Sequence, residues 1–259
     1  MSFGSVLRRG VLAGVCAGLS SALVTWVAVE PVIRQALDIE AARTEVIHGG
    51  GQSLPLRLPA HGGGEEPLVS RAVQVVGGAM TSVLVGVAVG VIFAIVYARV
   101  RERLSGRGDL VGSLTLAAVG FGGVSLLPAL VVPANPPAVG DPTTVGHRTM
   151  LYAVTLLLGV AVPIVVVAVD RRLSMSSMST TTRLALDVVV AAVLLVGLVV
   201  LLPGSPDVVP DDVPADLLWD FRVASLAQLA AMWLTLGLVF GVLMERAATG
   251  DRTLAPVAA

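Results

Sequence analysis

Lysine is missing from the 259 residues, and all 17 basic side chains are arginine. A phosphate-binding loop needs its lysine and a Schiff-base enzyme needs a reactive amine, so both chemistries are excluded. Any ATP-driven motor must then be another protein. Cysteine is nearly missing too. Cys16 stands alone, which excludes an intrachain disulfide and a thiolate metal cluster. It lies within the first apolar run and reads as a small buried hydrophobe. Charge is scarce at 14%, against about 25% in a soluble domain, and aromatics make up 4%. Disorder is excluded from the other side, because 55% of residues are hydrophobic and the mean hydropathy is +0.89, far above what a solvated chain carries.

What is present is long apolar runs. They cover Val11 to Val29, Val75 to Ala98, Leu110 to Val132, Met150 to Val169, Leu184 to Leu202 and Val223 to Met244. Each is long enough to cross about 30 Å of hydrocarbon as a helix. The fold class is therefore all-α: a polytopic integral membrane protein of six transmembrane helices, one transmembrane domain over residues 1–259. A long outer loop, 30–74, joins helices 1 and 2. The first run follows Arg8 and Arg9 like a signal peptide, but Trp26-Val27-Ala28 offers no small-residue cleavage site, so the helix is retained.

Arginine placement orients the chain. The side holding both termini receives eleven arginines and the other side six, so both termini are expected in the cytoplasm. Twelve of the eighteen carboxylates and all three histidines fall on the opposite side. Such a face concentrates cations, and imidazole with carboxylate suits first-row transition metals. The competing reading is that acids collect outside because arginine is held inside.

Within the spans no Asp, Glu, Arg or His reaches mid-helix, and Asp187 comes closest, about one turn in. A proton-coupled antiporter built on intramembrane carboxylates is thus disfavoured. Gln74, Thr81, Ser82, Ser125, Gln228 and Thr235 remain, and helix-to-helix hydrogen bonding is their commoner use. Gly10, Gly14 and Gly18, Gly86 and Gly90, and Gly237 and Gly241 recur at four-residue spacing, as close-packing faces do. The same faces offer a route to a homo-oligomer. Gly120-Phe121-Gly122-Gly123, Pro128 and Pro163 mark kinks, or backbone carbonyls freed to meet a cation.

Candidate ligands lie in the outer loops. His48 and His61 each precede a glycine triplet, and Glu65 and Glu66 follow the second. In the stretch from Val132 to Thr149, four prolines in ten residues stiffen the chain. Asp141 and His147 follow, close enough to converge at the outer mouth. The same residues serve equally to cap a helix through Thr143 or Thr144. The candidate metal set is His48, His61, Asp141 and His147.

The strings PANPPAVGDPTTVGHRTMLY, FRVASLAQLAAMWLTLGLVFGVLMER, RRGVLAGVCAGLSSALV and EPLVSRAVQ together resemble the CbtA family of predicted cobalt transporter subunits, over about Arg8 to Arg246. The resemblance implies a multi-pass protein of the bacterial inner membrane that serves cobalt supply for cobalamin synthesis. It also implies a companion, CbtB, a small membrane protein with a histidine-bearing tail. The family is often described with five spans, where six runs stand here. The expected function is a permease subunit for a divalent transition-metal ion, Co2+ or, by the same ligand chemistry, Ni2+. The ion is substrate rather than cofactor, and no cofactor is expected. Partners are the lipid bilayer, a CbtB-like subunit and the metal ion, with no nucleic acid. A non-transporting scaffold subunit is the alternative. An enzyme fares worst, since HExxH and GxSxG are both missing.

Overall fold

The computed structural model describes residues 2–49, 70–104, 108–137 and 139–253, without the side chains of 44–49, 103 and 250–253. Among the described residues there is no strand. Helix α1 (Phe3–Val24) passes through a widened turn, Thr25–Val29, into α2 (Glu30–Gly49). Next come α3 (Arg71–Leu104) and α4 (Asp109–Gly120), the latter continuing through a second widened turn, Phe121–Leu126, into the short α5 (Leu127–Val131). A 3-10 turn, Pro142–Thr144, starts α6 (Val145–Leu173), followed by α7 (Thr180–Leu201) and α8 (Ala215–Thr253). Six of the resulting helices are long and apolar enough to cross a membrane. An even number of crossings leaves both termini on one face, here the termini face. Opposite it lies the distal face.

The first, second, fourth and sixth membrane-length helices run past their apolar runs at both ends. The first continues as a helix to Gly49, taking in the start of the expected loop 30–74. Both widened turns close with five-residue hydrogen bonds: the Glu30 N–H donates to the Thr25 carbonyl and the Leu127 N–H to the Gly122 carbonyl. Pro128 follows the second. It has no N–H to give, so a turn wound one residue wider there accommodates the loss of a donor that the α pattern requires. Pro163, by contrast, sits inside an undivided α6.

Glycine faces set the packing. A Cβ at Gly14 would fall 2.4 Å from the Gly86 carbonyl oxygen, and one at Gly90 would fall 2.3 Å from the Gly10 oxygen. Backbones of α1 and α3 therefore touch. Gly237 and Gly241 of α8 meet Ala117 and Leu110 of α4 in the same way. These faces are filled by the chain's own helices, so a homo-oligomer would have to use others. A pairing not foreseen joins the second widened turn to α6: a Cβ at Gly159 would stand 2.0 Å from the Gly123 oxygen.

The main core fills the space between α1, α3, α4 and α8, where Phe240 sits edge-on to Phe93 at 5.3 Å and to Tyr97 at 5.0 Å. Cys16 is not part of it. The thiol is exposed, which corrects its reading as a buried hydrophobe: Ala13, Gly14, Ala17 and Gly18 take the contact face of α1, and position 16 points away from it. Helix α7 has no buried residue, so the α6–α7 hairpin lies at the bundle's edge.

The neutral polar groups divide between bonds to another helix and bonds within their own. Gln228 donates to Ser21 at 2.9 Å, Thr235 to Ser20 at 3.0 Å, and the Trp233 indole to Ser125 at 2.8 Å. Thr81 and Ser82 instead bond to carbonyls of their own helix. Gly86→Val is expected to lower the unfolding temperature in detergent by several degrees, for a cost of about 1–3 kcal/mol. Gly78→Val, where a Cβ meets nothing within 4 Å, should stay within about 0.5 kcal/mol of the parent; equal effects in the two variants would contradict the contact.

Candidate functional site

The loops that close the distal face are rich in proline, which keeps them out of helix and presents their side chains to one another. Asp207, from the connection between α7 and α8, is their centre. Its side chain is 2% exposed. Arg148, in the first turns of α6, donates from Nη1 to Asp207 Oδ2 at 2.8 Å, and the Asn135 amide donates to the same oxygen at 3.0 Å. The Thr144 hydroxyl donates to Oδ1 at 2.6 Å. Arg222 of α8 donates to Asn135 Oδ1 at 3.1 Å and to the Ala134 carbonyl at 3.3 Å. One carboxylate thus joins the connection before α6, the start of α6 and the connection before α8, with α8 reached through Asn135.

Burial alone would push the Asp207 carboxyl up, but the Thr144 hydroxyl and the Arg148 guanidinium outweigh it and hold it below the usual carboxylate range. Asp141 is held low as well, by the hydroxyl and backbone N–H of Thr143. Asp212 is held low chiefly by Arg43, whose Nη2 donates to Oδ1 at 2.7 Å and ties α2 to the connection before α8. Glu30, just past the first widened turn, is buried and receives Arg34 Nε and Arg71 Nε, each at 3.0 Å. Arg71 opens α3, so the pair ties α2 to α3.

At the termini face Asp109 takes the Tyr97 hydroxyl at 2.8 Å and both Arg101 Nε and Nη2, at 3.0 and 2.9 Å. Glu245 of α8 accepts the Leu110 N–H at 3.2 Å. Arg183 of α7 pairs with Asp170 of α6, and one oxygen of Asp187, one turn further along α7, is buried with no hydrogen-bond partner.

Of the sequence-derived ligands, Asp141 begins the 3-10 turn before α6 and accepts from the Thr143 N–H at 2.8 Å and its hydroxyl at 2.7 Å. That is the capping role. His147 is exposed in the first turn of α6, next to Arg148. His61, Glu65 and Glu66 lie outside the described residues. His48 falls near the end of α2, and its side chain is likewise outside them. Among the described residues no three His, Cys, Asp or Glu side chains stand close enough to hold one metal ion. Sequence reasoning missed Asn135, Arg148, Asp207 and Arg222. Their one local signal was a lone Asn inside the proline-rich string.

The acid-rich distal face is thereby divided. Glu30 and Asp207 are buried against arginines and Asp212, though exposed, is paired with one, whereas Asp38, Asp141, Asp211, Asp216 and Asp220 are exposed and form no arginine pair among the described residues. The second group is what a cation in solution meets.

A family model described as "Probable cobalt transporter subunit (CbtA)" matches residues 3–245. Neither the curated proteins nor the solved structures provide a match.

Asp207→Ala leaves Arg148 without its carboxylate and is expected to cost about 3 kcal/mol of stability in detergent. His147→Ala should change it by less than about 0.5 kcal/mol. Because the folded-state carboxyl of Asp207 is held low, its contribution is present above the usual carboxylate range. It is lost as pH falls through that range, roughly below pH 4. A melting series from pH 7 to pH 3 should therefore decline in the parent and decline less in Asp207→Ala; identical slopes would count against the pairing.

Proposed function

The chain belongs to the CbtA family of probable cobalt transporter subunits, and we propose that it imports divalent cobalt for cobalamin synthesis as the larger membrane subunit beside a small CbtB-like partner. The observation that carries the reading is the family match over residues 3–245, which takes in all six membrane-length helices but for the last turn of the sixth. The exposed carboxylates of the distal face support it, since a negative surface raises the local concentration of a dication. In this reading the distal face is extracytoplasmic, the termini are cytoplasmic and the membrane is the bacterial inner membrane. His48, His61, Asp141 and His147 take up the ion first. Carboxylate and imidazole hold cobalt and nickel alike, with nickel above cobalt in the general affinity order. Selection between them then rests on geometry and supply. No catalytic step is assigned.

One observation favours a second reading. The α6–α7 hairpin offers a wall of apolar side chains, with no residue of α7 buried, and such a wall suits docking of a partner's helix. In that case the chain is a scaffold, and the path for the ion belongs to the partner.

Uptake of radioactive cobalt at trace concentration separates the two, in cells lacking their own cobalt importers and expressing the chain with and without a CbtB-like subunit. The permease reading expects chain-dependent uptake that falls several-fold in His147→Ala. The scaffold reading expects uptake indifferent to His147→Ala and Asp141→Asn. No uptake in any pairing, with the protein shown to be in the membrane, would contradict import.

A further inference from the structure

The buried carboxylate of the distal face is held by a guanidinium that is itself incompletely satisfied. Arg148 Nε is buried and has no hydrogen-bond partner among the described residues, although its Nη1 is seated on Asp207. An N–H withdrawn from water without an acceptor costs free energy. The same side chain remains 27% exposed, so a route to solvent is open. Swinging outward would give every guanidinium N–H a water partner and leave the Asp207 carboxylate in need of another cation. A buried carboxylate without a counter-charge does not persist.

A second observation concerns the other oxygen of Asp207. Thr144 Oγ1 lies 2.6 Å from Asp207 Oδ1 and 2.7 Å from the Asp141 carbonyl oxygen. Both neighbours are acceptors, and the hydroxyl has one proton to share between them. The Thr144 N–H also donates to the Asp141 carbonyl, at 3.0 Å, which leaves the one hydroxyl hydrogen between three crowded oxygens, an arrangement a small cation relieves. Backbone approaches the pair at Gly140, whose φ is +122°. A Cβ there would stand 3.1 Å from Arg148 Nη1 and 3.7 Å from Asp207 Oδ2, so only glycine combines that conformation with an open flank. Asp141, the next residue, has an exposed carboxylate near enough to feel the charge of Asp207.

We propose that Arg148, seated on Asp207 Oδ2, is a displaceable counter-ion whose charge an incoming divalent metal ion replaces, and that Asp207 Oδ1, Thr144 Oγ1 and the Asp141 carbonyl, on the other side of the carboxylate, are that ion's oxygen ligands. The ion arrives from the exposed carboxylates and His147, displaces the guanidinium to solvent, and is held by oxygen donors and water. Such ligands bind first-row dications less tightly than imidazole or thiolate do, as suits a station that the ion must leave again. The proposal rests on the cobalt-import reading above for the identity of the ion.

The test is Co2+ binding to the purified full chain in lipid nanodiscs, followed by calorimetry and by the visible absorption of the bound metal. Arg148→Gln removes the competitor and is expected to tighten Co2+ binding about tenfold or more. Adding Asp207→Asn to Arg148→Gln should abolish the gain. Arg222→Gln, whose guanidinium reaches Asn135 and the Ala134 carbonyl rather than Asp207, should bind as the parent does. Binding by Arg148→Gln no tighter than the parent's overturns the proposal, and so does a gain that survives Asp207→Asn. Should the double variant fail to fold, Thr144→Val in the Arg148→Gln background, which removes a proposed ligand, is expected to reduce the gain. Parent cells that take up cobalt while Arg148→Gln gains no affinity refute the displaceable counter-ion and leave import standing. Tight binding by Arg148→Gln in a chain that never moves cobalt supports the site and refutes import.

Discussion

Backbone contact between α1 and α3 is the constraint on which the rest of the molecule depends. Lipid tails are as apolar as leucine, so burying apolar side chains gives two helices little reason to associate within a bilayer. Gly10, Gly14 and Gly18 against Gly86 and Gly90 supply another reason: main-chain atoms approach to van der Waals distance, and dispersion and weak polar contacts act over a long seam. The remaining face of α1 then receives α8 through Ser20, Ser21, Gln228 and Thr235. In turn α8 takes α4 against Gly237 and Gly241. The aromatic group of Phe93, Tyr97 and Phe240 closes the space left between them.

Charge is confined to the two rims of this frame, and arginine sets its form. A planar guanidinium meets a carboxylate with two N–H groups at once, as Arg101 does on Asp109, Arg71 on Glu30 and Arg43 on Asp212. Those pairs are tied off. The Arg148–Asp207 pair differs, because the guanidinium makes one bond to the carboxylate and leaves Nε unpartnered. A rim contact that joins two connections and a helix start but is poorly satisfied on one side is the form a gate on the distal face would take.

Much of this was legible in the sequence, for reasons that are local. Six apolar runs, glycines four apart and a small set of neutral polar residues each carry their meaning within one helix; the runs and the glycines became packing features, and so did Ser125, Gln228 and Thr235 of the polar set. Contacts between distant segments were not legible. Nothing near Asp207 in sequence names Arg148, Asn135 or Thr144 as its partners, and nothing near Gly159 names Gly123. Cys16 failed for a related reason: hydrophobicity tells burial from exposure in water, but in a membrane helix both faces are apolar. His147 and Asp141 drew notice because their side chains can ligate metals. Arg148, one residue further on, did not, because a guanidinium binds no metal and its interest lies in what it displaces.

The central claim is that the frame is built on direct contact between the glycine faces of α1 and α3. Solid-state NMR of the chain in lipid bilayers, with glycine Cα carbons labelled, tests it most directly. The account predicts short-mixing-time cross-peaks from Gly90 to Gly10 and Gly14, and from Gly86 to Gly14 and Gly18. Their absence, in a sample whose contacts between Ser125 and Trp233 are seen, would contradict it.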